Sequence, residues 1–498
     1  MSHWIGATLF VVGFLILVQR LQLVEKSKET TAIGSSCLDV IRSSQLSEEE
    51  KESLLQKNAK DLFGLFFILA FGGIASVVLP LGLLWLGEKL GWLSLDAVFK
   101  TLLSPVFLII STVLAVIVLF LKPRQAQTTQ QQSGGEASGR VQASNFSGLD
   151  RTLYYLAFNT STAQIALADM EDSMFSEELS SCSTERSIFI TALPRAGTTL
   201  LLECFASTPE FATHCYRDMP FVLIPCLWDR FSKSFQKTVE SQERAHGDGM
   251  QVTPDSPEAL EEVVWKTFWK RHYHKDRIIP WDNERDQEFE EFFSSHMRKI
   301  ILLRKQQGAE DVRYVSKNNL NIARTMMLNQ LFPDSITIIP FRDPLNHTAS
   351  LLKQHCNFLR IHQEDSFASD YMRAIGHYDF GQNLRPVDFD AWFDQRQSKD
   401  ADSLAFWLEY WVASYKHLLA KESNFLNFLN YDAFCENPEN GLRILADIVD
   451  SSNPEALMES ATRIHHPRPK EIDTSAVSSS LLEEVNFVYA QLKEKSLN

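Results

Sequence analysis

Residues 188–199 (IFITALPRAGTT) place the strongest constraint on how this chain can fold. The apolar run at 188–190 is typical of a buried strand, and the apolar run at 200–202 after the turn is typical of a helix. A tight turn between a strand and a helix points unpaired backbone N–H groups and the positive end of the helix dipole at one spot. The segment therefore predicts a binding site for a phosphate-like anion.

The turn differs from the Walker A phosphate loop, which requires Gly-x-x-x-x-Gly-Lys-Ser/Thr. The same frame here holds Ala192, Gly197, Thr198 and Thr199, so the Walker lysine is missing. The cation of this turn is Arg195, which comes earlier in the loop. The sequence therefore indicates a phosphate loop adapted to a different anion.

A second anion-binding pattern follows the β-branched run 336–341, which predicts another buried strand. Residues 342–350 (RDPLNHTAS) begin with Arg342 and end with Ser350. A planar guanidinium at a strand end can hold phosphate oxygens with two hydrogen bonds, and a serine near a helix start adds a hydroxyl donor.

These two segments resemble those of the sulfotransferases. In that family a Pro-Lys/Arg-x-Gly-Thr-Thr loop holds the 5′-phosphosulfate of the donor, and an Arg-x-Pro-x5-Ser segment holds its 3′-phosphate. Two further segments also resemble the family, namely 314–319 (YVSKNN) and 428–438 (FLNYDAFCENP). The resemblance covers roughly residues 186–470, in the order of the family.

The resemblance implies a sulfotransferase-like fold and 3′-phosphoadenosine 5′-phosphosulfate as co-substrate, with no metal expected. It implies that the donor is bound by Pro194, Arg195, Ala196, Gly197, Thr198, Thr199, Lys317, Arg342 and Ser350. It also implies a catalytic role for Arg195, because a fixed cation can neutralise the charge that builds on the bridging and sulfonyl oxygens during transfer.

The reaction also needs a base that takes the proton of the acceptor hydroxyl or amine. Sulfotransferases use a histidine or a carboxylate, often in the segment after the phosphosulfate loop. That segment here is 210–220, and its catalytic candidates are Asp218 and His214. Each candidate has a structural alternative, since Asp218 can pair with Arg217 and His214 can be a satisfied loop histidine.

The fold class follows from the order of the periodic segments after residue 148. Strand patterns occur at 188–190, 312–315, 336–341 and 425–429, and helical patterns occur at 154–174, 258–275, 288–307, 321–331 and 404–419. Strands that alternate with helices predict an α/β domain with a central parallel sheet flanked by helices, and ligands bind such sheets at the carboxyl ends of the strands. We therefore expect one nucleotide to contact both anion motifs.

The first quarter of the chain is apolar enough to be a membrane region. The runs 62–86 and 102–121 are each long enough to cross a bilayer, and 4–18 is a shorter third run without the features of a cleaved signal. The sequence therefore predicts an all-α region with two or three transmembrane helices at 1–122. Residues 123–148 are rich in Gln, Thr, Ser and Gly and predict a flexible linker before a catalytic domain at 149–498.

The distribution of basic residues predicts the orientation. The segment 19–60 carries Arg20, Lys26, Lys28, Arg42, Lys51, Lys57 and Lys60, whereas the loop between the next two apolar runs carries Lys89 and Lys100. The positive-inside rule then puts 19–60 and the catalytic domain in the cytoplasm. The seven cysteines lack any Cys-x-x-Cys spacing, which fits a reducing compartment, and together these features predict a bacterial inner membrane.

The predicted activity is transfer of a sulfuryl group to a lipid, glycolipid or glycan near the bilayer, with other small molecules open as acceptors. The formal net charge of −15 argues against nucleic acid as a partner. Two other classes stay open: a degenerate P-loop nucleotide kinase or NTPase, and a non-catalytic nucleotide-binding membrane protein. Neither the acceptor nor the oligomeric state follows from the sequence.

Overall fold

The computed structural model describes residues 2–23, 25–27, 30, 33, 48–102, 104, 107, 148–232, 242–243, 251–281, 284–306, 309, 311–421, 424–465 and 471–498. The chain divides into two compact units, Met1–Gly135 and Glu136–Asn498. The predicted linker, apart from its last residue, and most of the predicted span at 102–121 lie outside the described residues.

The described part of the first unit contains helices α1 (Ser2–Arg20), α2 (Glu48–Lys89) and α3 (Leu95–Leu102). Two stretches within them, His3–Arg20 and Leu62–Lys89, are long and apolar enough to cross a membrane. Large apolar side chains such as Phe63 and Leu83 are 67% and 71% exposed along α2. Such a surface needs lipid or another apolar surface to cover it.

The described part of the second unit contains seven strands. They are β1 (Ile188–Ile190), β2 (Phe211–Ala212), β3 (Gln242–Glu243), β4 (Gln251–Val252), β5 (Arg313–Lys317), β6 (Ile336–Phe341) and β7 (Leu426–Asn430). Strands β3 and β4 form a separate antiparallel pair. The other five form one parallel sheet in the order β2-β5-β1-β6-β7, which confirms the predicted fold class.

The α-helices of this unit follow the chain from the first described residue after the gap. They are α4 (Gly148–Asn159), α5 (Ser161–Met174), α6 (Ser176–Ser180), α7 (Thr198–Ala206), α8 (Pro225–Ser232), α9 (Glu262–Phe268), α10 (Gln287–Arg304), α11 (Thr325–Leu331), α12 (Pro344–Glu364), α13 (Ser366–Ala374), α14 (Trp392–Gln395), α15 (Leu404–Leu419), α16 (Tyr431–Glu436), α17 (Pro438–Ile448), α18 (Pro454–Met458) and α19 (Ser479–Glu494). Short 3₁₀ turns cover Tyr216–Asp218, Lys270–His272, Asn319–Ala323, Gly381–Asn383, Phe389–Ala391 and Glu459–Arg463.

The sheet separates two apolar cores. Successive strand side chains point to opposite faces, so neighbours along one strand enter different cores. Phe189 packs with the α10 and α15 side, whereas Ile188 and Ile190 pack with the α7 and α17 side. Burial on both faces explains why β1 and β6 are continuous apolar runs rather than alternating ones.

Three predicted helices differ from the structure. The pattern at 258–275 forms an α-helix only at Glu262–Phe268, followed by a 3₁₀ turn at Lys270–His272. The pattern at 321–331 is likewise a 3₁₀ turn and then α11. The pattern at 154–174 is broken at Thr160, whose hydroxyl donates to the carbonyl of Leu156 over 2.8 Å. Such side-chain bonds to the backbone compete with a regular helix, and apolar periodicity does not register them.

Strand register brings the two anion motifs to the same edge of the sheet. Ile190 of β1 lies opposite Lys317 on one side and Ile338 on the other. The chain leaves β1, β5 and β6 in the same direction because these strands are parallel. The turn after β1, the residues after Lys317 and the start of α12 therefore meet at the carboxyl end of the sheet, where ligands bind this class of fold.

Candidate active site

The turn between β1 and α7 adopts a backbone conformation that depends on glycine. Arg195 and Gly197 have φ angles of 69° and 98°, in the left-handed region. A Cβ atom on Gly197 would lie 2.1 Å from the ring of Tyr431, so any other residue would clash as well as strain the backbone. No side chain caps the start of α7. Its first N–H groups and the positive end of its dipole are therefore directed to the turn, as an anion site requires.

The second motif contacts this turn directly. The guanidinium of Arg342 donates from Nη1 to the carbonyl oxygen of Arg195 over 3.0 Å. Its Nε lies 3.7 Å from a carboxylate oxygen of Asp432, and the same carboxylate accepts from the backbone N–H of Asp343 over 2.6 Å. Asp343 in turn caps α12 by accepting from the N–H of Asn346 over 2.9 Å. The cation predicted for the second anion site is thus held against the first.

A buried histidine on α12 makes a second link to the turn. His347 is fully buried, and its Nε2 lies 2.8 Å from the carbonyl oxygen of Pro194. Burial, with the positive charge of Arg342 next in importance, lowers the pKa of His347 to about 3. The ring is therefore neutral and donates its Nε2–H to the carbonyl. Ser350 follows three residues later on the same helix face and is half-buried.

The turn forms one wall of a pocket whose empty volume, including space open to solvent, is about 710 Å³. Its lining includes Pro194, Arg195, Thr198, Thr199 and Lys317. Lys317 is the last residue of β5, so it enters the pocket from the neighbouring strand. The structure thus brings five of the predicted donor-binding residues together around one space, with Arg342 bonded to the same turn.

The opposite wall carries polar residues that the sequence analysis missed. These are Glu258, Glu262, Asn318, Asn319, His377 and Asp379. Glu262 is already engaged, since one carboxylate oxygen accepts from the side-chain amide of Asn318 over 2.8 Å and from the guanidinium of Arg324, and the other accepts from the hydroxyl of Tyr273. Glu262 is therefore a structural anion that fixes this wall.

Neither predicted base lines the described part of the pocket. Asp218 is 3% exposed, accepts from the N–H of Cys215 over 2.9 Å, and forms an ion pair with Arg304. Burial alone would raise the pKa of Asp218, but a hydrogen bond from His214 and the charge of Arg304 lower it to about 2. His214 is 1% exposed, and its Nε2 lies 3.2 Å from Nε2 of His296. These contacts favour the structural alternative for both residues, although the partner of Asp218 is Arg304 rather than Arg217.

Comparison with known proteins finds a match over the residues that form this pocket. Residues 187–386 match the sulfotransferase family model, a range that contains the turn, Lys317, Arg342 and both pocket walls. This segment of the chain belongs to the sulfotransferase family. No curated protein matches it significantly in sequence.

Two solved structures illustrate how distant the relatives of this sulfotransferase are. Sulfotransferase STF9 from Mycobacterium avium is 16% identical, over 65% of this chain and 79% of that one, with a TM-score of 0.35. Sulfotransferase STF1 from Mycobacterium tuberculosis H37Rv is 12% identical, over 66% and 81% of the two chains, with a TM-score of 0.34. Neither likeness is close enough to transfer a residue role or a substrate to this chain.

The sequence does contain one indication of the opposite pocket wall. Asn319 belongs to the 314–319 segment that resembles the family, and its side chain contacts both the turn and Asp379. The His-x-Asp spacing of His377 and Asp379 is a second signal, because it places a histidine and a carboxylate within reach of one another. Glu258 carries no comparable pattern.

Proposed function

We propose that this sulfotransferase moves a sulfuryl group from 3′-phosphoadenosine 5′-phosphosulfate to a hydroxyl or amine of a lipid, glycolipid or glycan. The observation that carries the proposal is the bond from Arg342 to the carbonyl of Arg195. A donor of this kind carries negative groups on both sides of its ribose. Two cationic motifs in contact suit such a molecule better than they suit a ligand with a single anionic end.

The chain's own groups fit the donor. The uncapped start of α7 and the backbone N–H groups of the turn provide donors for the phosphosulfate oxygens, and Arg195 and Lys317 provide positive charge beside them. The Nε of Arg342 is buried, and no described residue accepts a hydrogen bond from it. A phosphate would satisfy that donor. Ser350, on the helix face of His347, is the hydroxyl proposed to accompany it.

The chemistry proposed for these residues is electrostatic. As the bond from sulfur to the bridging oxygen breaks, negative charge collects on the departing 5′-phosphate and on the sulfonyl oxygens. Arg195 and Lys317 would oppose that charge from fixed positions, so little reorganisation is needed during transfer. Within the described residues no group of three or more His, Cys, Asp or Glu side chains could hold a metal ion, and the expectation that none is needed stays a prediction.

The choice of a bilayer-associated acceptor rests on the first unit. Its apolar stretches His3–Arg20 and Leu62–Lys89 would keep the catalytic unit near a membrane surface. A cytoplasmic catalytic unit at a bacterial inner membrane remains part of the proposal, on the basis of the basic residues at 19–60.

The test measures nucleotide binding to the full chain in detergent. We expect 3′-phosphoadenosine 5′-phosphate to bind at least tenfold more tightly than ADP, because only the former carries a 3′-phosphate for Arg342. Arg342→Ala should remove that preference and leave ADP binding unchanged. Arg360→Ala, an exposed arginine on the same helix, is the matched control. Tighter binding of ATP than of the bisphosphate would instead favour a nucleotide kinase or NTPase.

The acceptor is sought separately. Membranes containing the chain are incubated with ³⁵S-labelled donor, and the lipid and glycan fractions are then analysed by mass spectrometry. A labelled lipid or glycan that is absent with the Arg195→Ala variant would support the proposed acceptor class. Label found only in soluble small molecules would overturn that class while leaving the donor assignment intact.

A further inference from the structure

The pocket wall opposite the turn holds one histidine and one carboxylate that the proposed donor site does not use. His377 and Asp379 are 20% and 12% exposed at their side chains, so both are accessible from the pocket they line. Nε2 of His377 lies 3.8 Å from Oδ2 of Asp379. A carboxylate at this distance stabilises the protonated imidazole electrostatically.

Backbone geometry fixes where His377 sits. Helix α13 ends at Ala374, and the chain then closes with bonds from the N–H of Gly376 to the carbonyl of Arg373 and from the N–H of His377 to that of Met372, over 3.2 and 2.8 Å. This is a Schellman-type helix end. Gly376 has a φ angle of 82°, and a Cβ atom there would lie 2.3 Å from Cγ of Glu262. Only glycine allows the turn that delivers His377 to the pocket.

A chain of polar contacts connects this wall with the donor turn. The hydroxyl of Thr198, at the start of α7, donates to the side-chain oxygen of Asn319 over 3.5 Å. The amide nitrogen of Asn319 donates to Oδ2 of Asp379 over 3.1 Å. Oδ2 of Asp379 lies 3.8 Å from Nε2 of His377. The position of the histidine ring is thereby tied to the residues that would hold the phosphosulfate.

We propose that His377 is the general base of the transfer and that Asp379 is its positioning residue. The proposal rests on the sulfotransferase function and adds the residue that activates the acceptor. In the step, the acceptor O–H bond breaks and its proton moves to the neutral imidazole of His377. The oxygen forms a bond to sulfur while the bond from sulfur to the bridging oxygen breaks. That electron pair leaves on the 5′-phosphate of the bisphosphate product, and the imidazolium then releases its proton to solvent.

The other acidic and basic groups around His377 are less suited to this role. Glu262 is held by Arg324, Asn318 and Tyr273, and Asp218 and His214 are buried outside the pocket. Glu258 is the competitor, because its carboxylate also lines the pocket, although it accepts from the N–H of Ala259 over 2.8 Å. The charged or titratable groups around His377 are Asp379, Glu258, Glu262, Arg195, Lys317 and His362.

The experiment uses the full chain with labelled donor and octyl β-D-glucoside as the hydroxyl acceptor, with sulfate release counted as transfer to water. His377→Ala should lower kcat by a factor of about 10² to 10⁴ and leave the Kd for the bisphosphate unchanged. Added imidazole should restore part of the rate, which a merely structural defect would not allow. His274→Ala, an exposed histidine outside the pocket, is the matched control.

Asp379→Asn gives the readout specific to positioning. The rate of the wild-type chain should rise with pH through one inflection as the base loses its proton. Removing the carboxylate should lower that inflection, since the imidazolium loses its stabilising charge. Glu258→Gln should move the inflection less than Asp379→Asn does, because Asp379 lies 3.8 Å from the ring.

The outcomes separate the two proposals. If the wild-type chain does not bind the bisphosphate, the proposed donor site is wrong. Wild-type turnover in His377→Ala, or loss of the inflection in Glu258→Gln instead, would overturn only the assignment of the base. A wild-type chain that binds the bisphosphate but transfers sulfuryl to neither glucoside nor water would overturn the base and favour a non-catalytic nucleotide-binding protein.

Discussion

The two walls of the pocket differ in how they are encoded. The donor wall is one continuous turn, 194–199, together with Arg342, which is bonded to it. The opposite wall is assembled from residues far apart in the chain, such as Glu258, Asn319 and His377. A tight turn must carry its special residues at fixed spacing, whereas a wall made by packed helices needs only that their ends meet. The first wall therefore leaves one continuous motif, whereas the second leaves only scattered signals at Asn319 and at His377 and Asp379.

The largest loss of activity is expected from replacing Arg195, the cation of the donor wall proposed to lie beside the sulfuryl group. Arg195→Ala should lower kcat by at least about a thousandfold, because a fixed charge beside developing negative charge is lost. Arg195→Lys should retain part of the rate, since the charge remains but the planar fork does not. The rate of transfer from labelled donor measures both variants. If Arg195→Ala turns over close to the wild-type rate, Arg195 has no catalytic role. The donor wall would then bind the donor without stabilising the charge that develops in transfer.

A variant of Asp218 distinguishes its two candidate roles, catalytic base and buried structural partner of Arg304. Asp218→Asn leaves Arg304 without its buried partner and should destabilise the chain by about 3 kcal/mol. The folded-state pKa of Asp218 is about 2, below its ordinary value of 3.8, so the ionised carboxylate stabilises the fold above pH 3.8. That contribution is lost as the pH falls toward 2. Thermal unfolding at pH 7 measures the variant, and Asp255→Asn, an exposed carboxylate that pairs with Arg217, is the control.

The turnover of Asp218→Asn shows whether Asp218 is structural or catalytic. If Asp218 is structural, the folded fraction of Asp218→Asn should keep a near-normal pH profile. A variant that unfolds at the wild-type temperature but loses turnover would instead restore Asp218 as the base and contradict the role proposed for His377.

Much of the fold could be predicted because its signals are local. Buried parallel strands such as β6 are apolar along their length, and α15 begins and ends where its periodicity predicted. Two of the three mispredicted helices have a common physical cause. The 3₁₀ turn at Asn319–Ala323 is capped by the side chain of Asn318, which accepts from the N–H of Leu320 over 3.1 Å. A polar side chain bound to the backbone changes the local structure without altering the apolar pattern.

The same reasoning applies to the residues predicted for the site. Arg342 follows a strand, and the register of that strand determines its neighbours. Asp218 and His214 were chosen because they follow the turn in sequence. The chain between them and the turn includes α7 and β2, which carry them away from the pocket into a buried polar cluster with Arg304 and His296. Proximity in sequence is a poor guide to proximity once a helix intervenes.

Two glycines offer a matched comparison of the walls. Gly197→Ala and Gly376→Ala each force a side chain into a left-handed conformation and against a neighbour, Tyr431 or Glu262. Each should cost about 1–3 kcal/mol locally. We expect Gly197→Ala to weaken bisphosphate binding by about tenfold to a hundredfold. Gly376→Ala should leave that binding intact and lower kcat, because it displaces His377. Equal losses of binding in both variants would mean that the walls are one cooperative unit.

The smallest effect is expected from the link between α12 and the donor turn. His347 has a folded-state pKa of about 3, below its ordinary value of 6.5, because it is buried and lies near Arg342. Between these values the unfolded chain binds a proton that the folded chain does not, so acid lowers stability from pH 6.5 downward. This group alone would contribute about 2 kcal/mol of lost stability by pH 5.

His347→Gln should keep a donor for the carbonyl of Pro194 but remove this titration. We expect its unfolding temperature to fall less than that of wild type between pH 7 and pH 5, while bisphosphate binding at pH 7 changes little. His362→Gln is a useful control, because burial also lowers the pKa of His362 but its Nδ1 accepts from Gln382 rather than from the turn. If His347→Gln instead abolished bisphosphate binding at pH 7, the imidazole would be required to shape the donor wall, and glutamine would not substitute for it.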